Sequence, residues 1–190
     1  MHGKTGRSRA WLTVAGVLLL LGTMGRTAGA QSADPYGDIG RERTNRVAMQ
    51  ILGGWALSNI TISAPFYFTT EGEVRSFHEM NIMWNLVNLG IAASAFIAGS
   101  GAPEEADLAE SVRAQHTIES TLLFNMGLDV AYIAAGWALL ERSRRTVSQT
   151  ERWAGYGSSL ILQGGFLLLF DAGYYLFQRR NRPVIADSRG

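Results

Sequence analysis

Four windows without a single Lys or Arg, covering residues 47–68, 80–99, 118–140 and 153–177, constrain the fold of this chain more than any other feature. A helix rises about 1.5 Å per residue, so roughly twenty residues cross a hydrocarbon core about 30 Å thick. Each window is long enough for one such span. Inside hydrocarbon the backbone must satisfy its own hydrogen bonds, which leaves helices as the economical solution for four isolated segments. The predicted fold is therefore all-α, a transmembrane four-helix bundle over residues 47–177. A soluble bundle would need a charged outward face on every helix, and the fourth window offers only Asp171.

Composition excludes several classes. With 47% hydrophobic and 17% charged residues, the chain lies outside the disordered regime. Its arginines cluster at segment ends instead of forming a stripe, so no nucleic-acid partner is expected. The absence of cysteine removes disulfides, thiolate catalysis, zinc–cysteine sites and covalent haem.

The N-terminus reads as a signal. Lys4, Arg7 and Arg9 precede an apolar run from Trp11 to Leu21, and Ala28-Gly29-Ala30 supplies the small-x-small pattern of a cleavage site. Residues 1–30 are read as a cleaved secretory signal, residues 31–46 as a polar connector and residues 178–190 as a basic tail. Ser8 separates Arg7 from Arg9, which excludes a twin-arginine signal. Aromatic residues mark span ends at Phe66-Tyr67-Phe68, Trp153 with Tyr156, and Tyr174-Tyr175 with Phe177. Small residues that let helices approach closely occur at Gly53-Gly54, Gly90, Gly127 and Gly164-Gly165. Pro65 is expected to end the first helix, and residues 102–117 to extend the third helix outward.

If the signal is exported, the loop carrying Arg142, Arg144, Arg145 and Arg152 faces the cytoplasm, as the positive-inside rule prefers. The tail opposes it, since eight arginines then lie outside against five inside. The exported orientation is kept because the first hydrophobic segment usually dominates. The expected location is the bacterial inner membrane, with the lipid bilayer as partner and room for a membrane-protein partner or a second copy.

Polar side chains in hydrocarbon normally face other helices or a cavity. Here they are Asn59, Asn81, Asn85, Asn88, Asn125, Asp129, Gln163 and Asp171. Helical spacing puts Asn81, Asn85 and Asn88 on one face, Asn125 with Asp129 on another, and Gln163 with Asp171 on a third. Counting inward from the outer side at about 1.5 Å per residue, Asn59, Asn85, Asn88, Asp129 and Gln163 lie roughly 16 to 21 Å deep. Asn125 and Asp171 form a shallower level at roughly 9 to 10 Å. The candidate cluster is thus Asn59, Asn85, Asn88, Asn125, Asp129, Gln163 and Asp171, with Asn81 and His78 in a separate interfacial group.

His78 and His116 start consecutive antiparallel helices on opposite faces, roughly 30 Å apart, which argues against a shared metal or haem. No serine elbow, phosphate-cradling glycine loop or zinc-binding histidine pair occurs, so no cofactor is expected, and an intramembrane enzyme ranks third among the roles, with His78, Glu79 and Asp129 as its only acid–base groups.

Three stretches stand out together: Phe77-His78-x-Met80-Asn81-x-x-Trp84-Asn85-x-x-Asn88, Leu123-Phe124-Asn125-x-Gly127-Leu128-Asp129-Val130-Ala131-Tyr132, and Gln163-Gly164-Gly165-Phe166 with Asp171 beyond. They resemble a family of small bacterial integral membrane proteins of unknown function, over about residues 46–177. The resemblance implies four spans and supplies no activity. Two functions rank ahead of the enzyme. The first is a structural or accessory membrane component whose amides join helices through hydrogen bonds. The second is a protein that binds or conducts a small solute, an ion or a proton at the Asp/Asn cluster.

Overall fold

The computed structural model describes residues 38–98, 108–145 and 148–180. They form four helices: α1 (Asp38–Thr69), α2 (Gly72–Ala98), α3 (Leu108–Arg145) and α4 (Thr150–Arg179), with no strand among the described residues. Each is long and apolar enough to cross a membrane. The expected signal, the start of the connector and the end of the tail lie outside the described residues.

The helices run past the apolar windows that announce them. Helix α1 begins at Asp38, upstream of the window opening at Val47, and α3 extends over 38 residues. Only Thr70 and Glu71 separate α1 from α2. Gly72 turns the chain there with φ +61, a left-handed backbone that L side chains rarely adopt.

Pro65 does not end α1, contrary to the sequence expectation; the helix continues to Thr69. Proline deprives the Thr61 carbonyl of a hydrogen-bond donor, but so close to the terminus one missing bond is tolerable. The last turn is held instead by hydroxyls. Thr69 Oγ1 donates to the Pro65 carbonyl at 2.8 Å, and Thr70 Oγ1 to the Phe66 carbonyl at 2.6 Å.

Around the bundle, α1 packs on α2, α2 on α4, and α4 on α3. The directions follow from the pairs that touch. Gly53 meets Ala92 while Ser63 meets Asn81, so α1 and α2 are antiparallel. Gly136 meets Gly157 and Asp129 meets Gly164, which makes α3 and α4 antiparallel as well. Helices α2 and α4 begin at the same end and run parallel.

Backbone contact sets two of these seams. A Cβ on Gly157 would lie 2.6 Å from the Gly136 carbonyl oxygen, and one on Gly155 would lie 2.5 Å from that of Glu73. Side chains at either site would push α4 off α3 or α2. Of the glycines singled out from sequence, Gly53 and Gly164 face a neighbouring helix, whereas Gly54, Gly90, Gly127 and Gly165 meet nothing within 4 Å.

The outer surface is apolar. Phe68, Ile97 and Trp137 are 81%, 76% and 68% exposed, and Leu86, Val87, Leu123, Phe124 and Leu169 join them on the outside. An aqueous protein would hide such a belt. Arginines lie over aromatic rings at both ends of it: Arg75 on Tyr67, Arg142 on Trp153 and Arg152 on Tyr156 at one end, Arg179 on Tyr175 and Arg180 on Phe177 at the other. In each pair the guanidinium lies over the ring face, where the aromatic quadrupole attracts it.

Candidate functional site

The buried polar residues separate into two groups along the bundle axis. The first is centred on Asn81 of α2. Its Nδ2 donates to Ser63 Oγ at 2.8 Å and to Asn59 Oδ1 at 3.0 Å, both on α1. Its Oδ1 accepts from Gln163 Nε2 on α4. Gln163 Oε1 in turn accepts from the Trp55 indole at 2.9 Å, and that ring stacks on Phe166 with centroids 3.8 Å apart. His78 Nδ1 lies 3.1 Å from Ser63 Oγ, under the stacked ring of Phe66. Asn59 closes the set by donating to the Trp55 carbonyl at 2.8 Å. Three helices are tied together, and every hydrogen-bonding atom of the Asn81 side chain is engaged.

The second group lines a cavity of about 630 Å³ between the four helices. Its polar wall includes Asn88 from α2, Thr117, Thr121, Asn125 and Asp129 from α3, and Asp171 and Tyr174 from α4. The remainder is mainly hydrocarbon and aromatic, including Leu52, Ile118, Leu167 and Phe170. The cavity follows from the packing order: α3 is held chiefly through α4, and contacts α1 at its N-terminal end, where Ser111 Oγ donates to Asp38 Oδ2 at 2.8 Å.

Asp129 and Asp171 are 3% and 6% exposed, and both line this cavity from adjacent helices. Backbone geometry brings them together. A Cα–Cβ bond tilts toward its own helix N-terminus. On antiparallel α3 and α4, Asp129 and Asp171 therefore lean toward each other across the difference in their depths. Ionised carboxylates are acceptors only, so a buried pair on one wall calls for donors or a cation beside it.

Unlike the Asn81 group, this wall is incompletely satisfied. Asn88 Nδ2, Asp129 Oδ2 and Trp84 Nε1 are buried and have no hydrogen-bond partner. Asn85, between the groups, donates to the Asn81 carbonyl at 2.8 Å while its Oδ1 is unpartnered. Of the seven residues expected to cluster, Asn88, Asn125, Asp129 and Asp171 meet at the cavity. Asn59 and Gln163 bond to Asn81, in the group that also holds His78.

Several contributors were missed from sequence. Trp55 and Ser63 flank Asn59 at intervals of four, on the same helical face, so spacing could have found them. Tyr174, whose hydroxyl donates to Asn45 Oδ1 at 2.6 Å, lies three residues beyond Asp171. A third polar layer closes the end of the bundle: Gln115 Nε2 donates to Glu119 Oε1 at 2.8 Å and to the Gln178 carbonyl at 2.9 Å, and Gln178 Nε2 to the Arg41 carbonyl at 3.3 Å. Its residues lie at or outside the margins of the apolar windows, where polar side chains draw no notice. Among the described residues no group of His, Asp and Glu is arranged to hold a metal ion.

Comparison with known proteins gives a family and no activity. No curated protein and no solved structure matches the chain. The profile of a family of unknown function, DUF6992, matches residues 51–172, which include the Asn81 group and both aspartates of the cavity. On that match, extending over well more than half of its length, the chain belongs to the DUF6992 family of unknown function.

Proposed function

We infer that the protein is a four-span integral membrane protein whose central cavity binds a small polar or charged ligand, an ion or a proton, with Asp129 and Asp171 as the defining groups. The bilayer is its solvent and partner. A bacterial inner membrane, entered through a cleaved signal, is the setting that suits the N-terminal pattern of basic, apolar and small residues.

The observation that carries this reading is the contrast between the two polar groups. Asn81 uses its amide fully, as helix-joining side chains do. The cavity instead carries Asn88 Nδ2, Trp84 Nε1 and Asp129 Oδ2 without partners. Buried polar atoms cost free energy when unsatisfied, and they persist where a function uses them. A purely structural role would favour hydrocarbon at these positions.

The structural reading retains one specific support, the Asn81 group itself, and the two roles can coexist in one bundle. Asp129→Leu and Asn88→Leu, compared with wild type for stability and for proton or cation flux in liposomes, separate them. Unchanged or improved stability with altered flux is the expected result. Loss of folding in both variants, with no flux through the wild type, would reject the binding or conducting role.

A further inference from the structure

We propose that the cavity takes an amphipathic organic cation, a protonated amine on a compact hydrocarbon body, with its ammonium held at the Asp129–Asp171 pair. This deepens the binding role proposed above and rests on it. The first argument is charge. The wall contains two carboxyl groups, and among the described residues no Lys, Arg or His lines it. Buried carboxylate charge is costly without a cationic partner, and an ammonium on the ligand supplies the one the wall lacks. An anion would be repelled by the carboxylates, and a neutral head would leave their charge buried and unpaired.

The second argument is shape and surface. About 630 Å³ is far more room than a bare metal ion or a proton needs, and most of the lining is hydrocarbon. Trp84, Tyr132, Phe170 and Tyr174 contribute aromatic rings. Such rings attract cations through their faces and pack against apolar bodies through the same surface. The third is the pattern of unused groups. Asn88 is 4% exposed and presents a donor with no partner, independently of the carboxyls, and the Trp84 indole N–H presents another. Two donors beside an acid pair suit a ligand with a hydroxyl, ether or carbonyl oxygen near its amine.

The test compares head groups on one body. Full-length protein in nanodiscs is titrated by calorimetry with 1-aminoadamantane, 1-adamantanol and adamantane-1-carboxylate, with empty nanodiscs as the blank for partition into lipid. The expected result is saturable binding of one amine per chain, with the alcohol weaker by about tenfold or more and the carboxylate not bound. Asp171→Asn should weaken the amine by a similar factor; if that variant does not fold, the wild-type series decides alone. Equal affinities for amine and alcohol would overturn the amine assignment and leave the binding cavity standing. Failure of all three to bind folded protein would overturn both.

Discussion

Asn81 and Asn88 are the same residue type on the same helix, seven positions apart and both buried, yet their replacement by leucine should have opposite consequences. Asn81→Leu removes bonds to Gln163, Asn59 and Ser63. Interhelical hydrogen bonds in membranes average about 0.6 kcal/mol and reach about 1.7 kcal/mol, so three of them contribute about 2 to 5 kcal/mol. The Gln163 amide, 0% exposed, loses its acceptor and adds a penalty of about 1 to 3 kcal/mol if it finds no other. Asn88→Leu breaks no bond of Nδ2, because there is none. It places hydrocarbon against a largely apolar wall, and the expected change lies within about 0.5 kcal/mol or toward stabilisation. Reversible unfolding in mixed micelles, followed by loss of helix signal as sodium dodecyl sulfate is raised, measures both. Equal destabilisation by the two substitutions would refute the distinction between a joining group and a binding wall.

Other substitutions probe the seams and the cavity. Gly157→Ala directs a methyl at the Gly136 carbonyl and should cost about 1 to 3 kcal/mol in the same assay. Gly127→Ala, with nothing within 4 Å, should be neutral or stabilise by up to about 1 kcal/mol. Trp55→Phe keeps an aromatic ring against Phe166 and loses the donor to Gln163, so a loss of about 1 kcal/mol is expected; a loss as large as that of Asn81→Leu would place the hub at the indole instead. Tyr174→Phe loses the bond to Asn45 and should cost about 1 kcal/mol while leaving the carboxyl pair in place, which amine binding in the calorimeter would register.

The four helices were legible because a missing charge over twenty residues is a strong signal, and the structure keeps one helix for each window. Their ends were less so. Pro65 looks like a terminator, but the hydroxyls of Thr69 and Thr70 sustain another turn, and those residues carry no helix signal of their own. Spacing found the faces of α2, α3 and α4. Counting depth then misjudged which faces meet, because it places Cα atoms and ignores side-chain reach and tilt. Asp129 and Asp171 fall on different levels by that count, yet both line one cavity. Gln163 and Asn81 also fall apart by depth, and the long glutamine side chain closes the distance. The tightest helix contacts, at Gly136, Gly155 and Gly157, were invisible because close approach depends on the partner helix as much as on the glycine.

If the cavity is open to an apolar ligand and one of its carboxyls can take a proton, dicyclohexylcarbodiimide should find that carboxyl. This apolar reagent adds to protonated carboxyl groups and leaves a stable N-acylurea that mass spectrometry locates. One adduct per chain is expected, at Asp129 or Asp171, suppressed by 1-aminoadamantane. Labelling that avoids both aspartates in folded protein would contradict a ligand-accessible carboxyl pair in an open cavity.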